Sequence, residues 1–317
     1  MPTKNFRAKN ITQLFSGHCN TWPIHLRAAT DVFRGPFEAC WAELKLMGLS
    51  SAASSPDTTL DKNEFPTSED DVASRFLWGV VIWLDIISCI TTGKPPQLQS
   101  VHNDAISPHS PIQLEYIMGC KNWAMIQIAR IAVLQEDKMK ATHDGIFDPT
   151  DFEKRADVIR RELRNWLTQG FLGNLRISNT DPQVSHPAMP STTLVTRIFT
   201  LAAFIYLHVI VSGFQLQTDE LNTTIWEAMT LLRTQFPAAS MHTIVCPLYI
   251  IGSVVKDEDR YFFRKVLSTA PLLEPSLKHR SKILGLLEQI WNIRDTTTGS
   301  WTWDDSIRLS HYSLLLL

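Results

Sequence analysis

The sequence predicts an all-α fold: a large domain of packed antiparallel helices joined by long loops rich in proline and serine. Apolar residues recur at helical spacing through most of the 317 residues, and alternating strand-like segments that end at Asn-Gly or Asp-Gly turns are missing. With 44% apolar and 20% charged residues, the chain can bury a sizeable core. One large domain or two modest ones both fit this length.

The clearest helix is predicted to begin at Thr150. Thr150 and Glu153 have the spacing of a capping box. The opposite face mixes basic and acidic side chains, which indicates a solvated surface rather than one that reads DNA. The apolar face is formed by Phe152, Ala156, Ile159, Leu163, Trp166 and Leu167.

Two other segments are apolar nearly all round, 116–135 and 197–214. Helices of this kind lie at the centre of a large helical domain. More amphipathic helices are predicted at about 219–235, 257–268, 280–294 and 304–317. Breaks rich in proline, glycine and serine are predicted at 48–71, 93–111 and 170–190.

The segment WLDIISCITTGKPPQL (83–98) has three interpretations: a membrane span, a phosphate-binding loop, or a buried helix that ends at a turn. A span needs about 20 mostly apolar residues, but the run from Phe76 to Ile90 has 15 and contains Asp85. The segment 198–214 contains His208 and is interpreted in the same way. Neither is expected to cross a membrane.

A phosphate-binding loop needs the pattern G-x-x-x-x-G-K-[ST]. Ser88 stands at its first glycine position and Pro95 at its hydroxyl position. We therefore predict a buried helix that stops at Gly93 and leaves through Pro95-Pro96. The carboxylate of Asp85 on such a helix must be paired, hydrogen-bonded or neutral.

This segment resembles part of the regulatory domain of fungal binuclear zinc-cluster transcription factors, in which a W-x-D-I-x-[SA] helix leads into an [ST]-x-G-[KR]-P-P turn. Five further blocks match that family in its order. They are NTWPIHLRAATDVF (20–33), MGCKNWAMIQIARIAVL (118–134), RIFTLAAFIYLHVIVSGF (197–214), CPLYIIGSVVKDEDRYFFRKVL with Arg260, and LLEQIWNIRDTTTGSWTWDDSIRLSHYSLLLL. Cys246 stands where the family usually has tryptophan, and Val254-Val255 replace a small or acidic pair.

The resemblance implies that residues 1–47 are N-terminal helices of the regulatory domain with a truncated start, that 48–71 is a linker or long loop, and that 72–317 is the main helical domain. Members of the family begin with six clustered cysteines that bind two zinc ions. This chain has five cysteines, far apart, so the zinc cluster is absent. A truncated gene model, a degenerate copy and a protein that kept only the later helices all fit this pattern.

The resemblance also implies nuclear action in transcription regulation. The expected partners are a related factor in a homo- or heterodimer, a coactivator or the transcription machinery, and a small-molecule effector. We expect no cofactor, no metal site and no membrane contact. We also expect no direct DNA binding by this chain, because its net charge is −2 and phosphate neutralisation needs a basic face. The cytoplasm is an alternative location if a nuclear signal lies outside this sequence, and the N-terminus has no secretory pattern.

Four residues form a candidate effector pocket: Asp85 and His208 as polar anchors, with Trp83 or Trp123 as an apolar wall. The alternative is that each polar residue has an ordinary hydrogen-bonded partner in the core. No catalytic residues are expected, because the acids at 69–71, 257–259 and 304–305 do not form the D-D-x-x-[DE] motif, with its third carboxylate at the right spacing, that a diphosphate-binding helical enzyme needs. Two alternative functions are a helical enzyme or small-molecule-binding protein that reuses this scaffold, and a dimer partner without a DNA-binding module that sequesters a full-length factor.

Overall fold

The computed structural model describes residues 22–35, 69–107, 110, 112–177, 190–214, 218–269, 272, 280–296, 301–309 and 314–316. No strand occurs among them, which confirms the predicted all-α class. The helices are α1 (22–35), α2 (Glu69–Thr92), α3 (Gln99–Ala105), α4 (Glu115–Met118), α5 (Asn122–His143), α6 (Pro149–Ile177), α7 (Thr192–Ser212), α8 (Asp219–Thr234), the 3-10 helix Ala238–Ile244, α9 (Val245–Val254), α10 (Asp257–Leu267), α11 (Ser281–Thr296) and α12 (Trp303–Leu309). Residues 1–21 and 36–68, which include most of the predicted linker, lie outside the described part.

Helix α7 is the centre of the fold. It packs against α5, α6, α8 and α9, and its residues are buried nearly all round, as the apolar sequence predicts. It begins at Thr192, five residues before the predicted start. The hydroxyl of Ser191 accepts a hydrogen bond from the backbone N–H of Leu194 at 3.2 Å and so caps the first turn.

Helix α6 begins at Pro149 rather than at Thr150. The carboxylate of Asp148 accepts the N–H of Thr150 at 2.8 Å, so the predicted capping box of Thr150 and Glu153 is wrong. Proline favours the first helical position because the missing N–H would have no helical partner there. The predicted apolar face is confirmed for its buried members, which are Phe152, Ala156, Ile159 and Leu163.

The segment 116–135 is two helices rather than one. Helix α4 ends at Met118, Gly119 has a φ of 79°, and α5 begins at Asn122. The side chain of Asn122 accepts the N–H of Leu114 at 2.8 Å and donates to the carbonyl of Ile112 at 2.7 Å. These bonds satisfy backbone groups at the break between the two helices. The periodicity of the apolar residues alone does not predict this break.

The predicted end of α2 is confirmed. The helix stops at Thr92, and Gly93 follows with a φ of 64°, a conformation that favours glycine. The predicted breaks are shorter than expected, because 93–111 contains helix α3 and α6 continues to Ile177. The amphipathic segments predicted after 218 are helices, except that 314–316 is not helical.

Two helical segments, Val72–Thr92 and Thr192–Ser212, are long and apolar enough to cross a membrane by length and composition. Helix α2 has 24 residues, so the prediction that this segment is too short to cross a membrane, made from residues 76–90, is wrong. Most of each segment is buried against other helices of the fold. Core helices of globular domains meet the same length and composition criteria.

The last two sequence blocks are held together by a set of polar contacts, which we call the C-terminal clamp. The indole N–H of Trp291 donates to the carbonyl of Gly252 at 2.7 Å. Arg294 donates to the carbonyl of Ser253 at 2.8 Å, and Arg260 makes two hydrogen bonds to Asp295, at 2.6 and 2.8 Å. Helices α9, α10 and α11 are joined at this point.

The Arg260–Asp295 pair should make stability depend on pH. The hydrogen bond from Arg260 lowers the pKa of the Asp295 carboxyl. A carboxyl with a folded-state pKa below its unfolded-state value stabilises the fold above the unfolded-state pKa, and this contribution disappears as the pH falls through the folded-state pKa. Between about pH 5 and pH 3 the wild-type protein should therefore lose more stability than Asp295→Asn. Urea unfolding at several pH values measures this difference.

The variant Arg260→Met is the control for this experiment. It removes the cation that lowers the pKa of Asp295, so its pH dependence should resemble that of Asp295→Asn. A stability difference between the wild type and Asp295→Asn that is equal at pH 3 and pH 6 would contradict the assignment.

Candidate functional site

The carboxylate of Asp85 holds the turn that follows helix α2. Its Oδ1 accepts the backbone N–H of Gln97 at 2.9 Å, and its Oδ2 accepts that of Leu98 at 2.8 Å. Asp85 is 1% exposed, and hydrogen bonds from N–H groups to a carboxylate are charge-assisted and strong. The buried acid therefore has its partners within the chain, in the loop that leaves its own helix.

His102 lies on the other side of this carboxylate, on helix α3. Its Nε2 is 3.2 Å from Oδ2 of Asp85, yet neither ring nitrogen makes a well-aligned hydrogen bond to the described residues. The contact is short but poorly directed. His102 is also buried and lines a cavity of about 300 Å³ together with Arg130 and Arg155.

The turn held by Asp85 also binds helix α1. Thr30 donates its hydroxyl to the side-chain carbonyl of Gln97 at 3.2 Å, and Arg34 donates to the backbone carbonyl of Gln97 at 2.8 Å. A cavity of about 790 Å³ lies between α1 and this turn, with Asp85 in its wall. Helix α1 is thus fixed to the main helical body through Gln97, whose backbone N–H is bound by Asp85.

Trp83 lines a different cavity, of about 390 Å³. Its Nε1 is buried and has no hydrogen-bond acceptor among the described residues. Met118, Val195 and Phe199 form apolar walls of this cavity, and Arg280 is among its lining residues. Trp83 and Asp85 are two positions apart in the sequence, but they line separate cavities.

The other two predicted pocket residues lie elsewhere. Trp123 is half-buried on α5 and stacks on Trp166 of α6, with ring centroids 4.3 Å apart. His208 is half-buried near the end of α7. The lining residues of the Trp83 and Asp85 cavities include neither of them.

The three described cysteines, Cys89, Cys120 and Cys246, are buried free thiols. Burial raises the pKa of each thiol, which disfavours the thiolate that acts as nucleophile or metal ligand. Within the described residues, no group of three or more His, Cys, Asp or Glu side chains is placed to hold a metal ion.

Residues 10–317 match the model of the fungal specific transcription factor domain. The chain belongs to this family. This confirms the resemblance drawn from the ordered sequence blocks.

Curated relatives of this fungal specific transcription factor domain regulate transcription. The chain is 34% identical over 313 residues to Pestheic acid cluster transcriptional regulator 3 of Pestalotiopsis fici, covering 96% of this chain and 54% of that protein. It is 27% identical to Transcription factor dibT of Pestalotiopsis microspora, covering 91% and 49%, and 26% identical to the Trichothecene biosynthesis transcription regulator TRI10 of Fusarium sporotrichioides, covering 93% and 68%. The chain spans about half the length of the first two. No solved structure matches it.

Several residues that build the sites in this fungal specific transcription factor domain were missed by sequence reasoning. Gln97 and His102 lie in a segment that the sequence predicts as a break. Arg280 lies in the run LKHRSK (277–282), which is typical of a solvated helix start, but its side chain is only 7% exposed. The local signal for Gln97 and His102 was the unexplained carboxylate of Asp85, which required nearby donors.

Proposed function

We propose that this chain is the regulatory domain of a fungal zinc-cluster type transcription factor, acting through protein contacts and without a DNA-binding module of its own. The match to the fungal specific transcription factor domain over residues 10–317 carries the proposal. The names of the relatives, all transcription regulators, favour a non-enzymatic role. The site of action is the nucleus.

The chemistry of the chain supports the proposal that DNA is bound by another module. Five cysteines in 317 residues are too few for a cluster of six. The three described cysteines are buried, and core cysteines are usually packing residues. A formal net charge of −2 gives the chain no overall attraction to a phosphate backbone.

The fold supports an effector or autoinhibitory role better than a catalytic one. Its polar constellations join helices: Asp85 holds the turn that binds α1, and the C-terminal clamp joins α9, α10 and α11. Such contacts position whole helices relative to one another. A regulatory domain of this kind acts by presenting its surface to a related factor in a dimer, to a coactivator or to the transcription machinery.

A tethering experiment tests the regulatory role. The 317 residues are fused to an unrelated DNA-binding domain, and transcription is measured in fungal cells from a reporter that carries the matching sites. We expect the fusion to change transcription relative to the DNA-binding domain alone. The fusion that carries Trp303→Ala, a variant with a disrupted core, should lose this effect. Equal transcription from the fusion and the bare DNA-binding domain would contradict the proposal.

A gel-shift experiment tests the absence of a DNA-binding module. The 317-residue chain without a fusion partner is mixed with duplex DNA from the promoters of its own genomic neighbourhood. We expect no shift that survives competition by unrelated duplex. A sequence-specific shift would contradict the proposed absence of a DNA-binding module. The regulatory role would still be tested separately by the tethering experiment.

A further inference from the structure

The cavity of about 790 Å³ between helix α1 and the turn after α2 opens to solvent, and we call it the α1 groove. Exposed residues line it from both sides, with Ile24 and Arg27 on α1 and Lys94 in the turn. Its volume lies within the range of known binding clefts. The groove is therefore accessible to a ligand. Its lining also includes buried apolar residues, which are Trp22, Leu26 and Pro96.

Three exposed basic residues line the α1 groove: Arg27, Arg34 and Lys94. Within the described part of the chain, the side chains of Arg27 and Lys94 make no hydrogen bond or ion pair. Arg34 donates to the uncharged backbone carbonyl of Gln97 at 2.8 Å. Among the described residues, none of the three cations is therefore paired with an acid.

The acids of the α1 groove offset this positive charge only in part. Asp85 is 1% exposed and its carboxylate accepts two backbone N–H groups, and Glu136 forms an ion pair with Lys140 at 3.1 Å. Asp31 is the exposed acid of the lining. The three cations thus oppose one exposed acid, on a chain whose net charge is −2. Because exposed charges act over about 10 Å at about 0.1 M salt, they attract an anionic ligand without a fixed side-chain geometry.

The α1 groove also presents an exposed apolar side chain. Ile24 is 68% exposed and lies on the same helix as two of the three cations. A ligand that matches both features carries several carboxylates and, between them, bulky apolar side chains. Protein segments in which acidic and apolar residues alternate have this composition, and clusters of arginines recognise acidic motifs.

We propose that the α1 groove binds an acidic peptide segment of a partner protein, in which carboxylates alternate with bulky apolar side chains. The carboxylates are attracted by Arg27, Arg34 and Lys94, and an apolar side chain packs on Ile24. Since these residues lie on both α1 and the turn, the bound peptide holds α1 against the main helical body. The proposal names a partner chemistry for the proposed regulatory role and rests on it. It is tested on binding by the purified chain, so its failure is distinguishable from a failure of the tethering experiment.

Fluorescence anisotropy of the whole 317-residue chain tests the ligand class with three peptides that carry fluorescein. The first, DDFDLEEFDL, has both features, NNFNLQQFNL lacks the charges, and DDGDGEEGDG lacks the apolar side chains. We expect the first to bind at one site per chain, about tenfold more tightly than either of the others at about 0.05 M salt. Its advantage over NNFNLQQFNL should shrink at about 0.5 M salt, because exposed charges are then screened. Equal affinities for these two peptides, or no anisotropy change, would overturn the proposal.

A double variant with a matched control locates the site. Arg27→Gln combined with Lys94→Gln removes two cations of the groove and keeps Arg34, which binds Gln97. The control combines Lys154→Gln with Arg161→Gln, at two exposed basic residues of α6, and changes the net charge equally. The groove variant should bind DDFDLEEFDL about tenfold more weakly than the wild type, and the control should bind as the wild type does. Wild-type affinity in the groove variant would overturn the assignment.

A second pair of variants tests the apolar contact. Ile24→Ser should weaken binding of DDFDLEEFDL severalfold and leave binding of DDGDGEEGDG unchanged. Ile146→Ser is the control, because Ile146 is 74% exposed and does not line the groove. All substituted side chains are exposed, so these variants should fold as the wild type does. Wild-type binding of DDFDLEEFDL by Ile24→Ser would overturn the apolar part of the assignment.

Two further measurements separate the peptide from other occupants of the α1 groove. Bound DDFDLEEFDL should slow amide hydrogen exchange across 22–35, because it stabilises the docked state of α1. A single-stranded oligonucleotide of equal charge that displaced DDFDLEEFDL as well as unlabelled peptide does would overturn the proposal in favour of a phosphate backbone. A dimer in sedimentation experiments that dissociated on addition of DDFDLEEFDL would overturn it in favour of a second copy of the chain.

Discussion

Replacing Asp85 with alanine is expected to lower the free energy of unfolding by about 3 kcal/mol. The change removes the acceptor of two backbone N–H groups, those of Gln97 and Leu98. The N–H of Leu98 is buried and that of Gln97 is partly buried, and a buried donor left without a partner costs about 1–3 kcal/mol. Urea unfolding followed by circular dichroism at 222 nm measures the loss as a lower midpoint with an unchanged slope.

Two further variants test whether the loss comes from those hydrogen bonds. Asp151→Ala removes an exposed carboxylate from the first turn of α6, and its effect should stay below about 1 kcal/mol. Asp85→Asn keeps one acceptor oxygen and turns an NH₂ group towards the other N–H, so its effect should lie between those of the wild type and Asp85→Ala. A loss below about 1 kcal/mol in Asp85→Ala would contradict the role given to this carboxylate.

The same substitution should loosen helix α1. Gln97 binds α1 through Thr30 and Arg34, and Asp85 fixes the backbone of Gln97. Without Asp85 the turn gains freedom, so amide hydrogen exchange should accelerate across 22–35 before it does so in the central helix α7. Uniform acceleration of both helices would instead indicate global destabilisation.

Helix existence and helix faces could be predicted from local sequence. The stripe of Phe152, Ala156, Ile159 and Leu163 marks the buried side of α6, and the all-round apolar α7 lies at the centre of the fold. Helix boundaries were less predictable, because they depend on single hydrogen bonds. Asp148 caps α6 in place of Thr150, and the amide of Asn122 satisfies the break after α4.

The candidate site was harder to predict, because its contacts join residues distant in sequence. The need of Asp85 for partners followed from its place on an apolar helix, but the identity of those partners depends on how the chain turns after Gly93. Trp83 and Asp85 are two positions apart on α2, and helical residues two apart do not face each other. This geometry explains why they line separate cavities. Arg280, in a basic run typical of solvated surface, becomes buried only through tertiary packing.

Replacing Trp303 with alanine should be the most damaging single change in the described core, lowering the free energy of unfolding by about 3–5 kcal/mol. Trp303 is 1% exposed, and its ring contacts the rings of Tyr206 and Tyr249, at centroid distances of 5.2 and 5.8 Å. Its indole N–H donates to the carbonyl of Ile90 at 2.9 Å, one of the last carbonyls of α2, which lack a helical partner. The substitution removes both core volume and the hydrogen bond to the end of α2. Urea unfolding measures the combined loss of stability.

The volume and the hydrogen bond can be separated with Trp303→Phe. Phenylalanine keeps most of the ring contacts and removes the donor. Trp303→Phe should therefore lower the free energy of unfolding by about 1–3 kcal/mol, less than Trp303→Ala does, because the carbonyl of Ile90 is left unpaired. Trp226→Ala is the control, because Trp226 is 69% exposed and its removal should cost less than about 1 kcal/mol. If Trp303→Phe is as damaging as Trp303→Ala, the contact to Ile90 outweighs packing. The end of α2 that carries the Gly93-Pro95-Pro96 turn would then depend on the closing helix α12 for its stability.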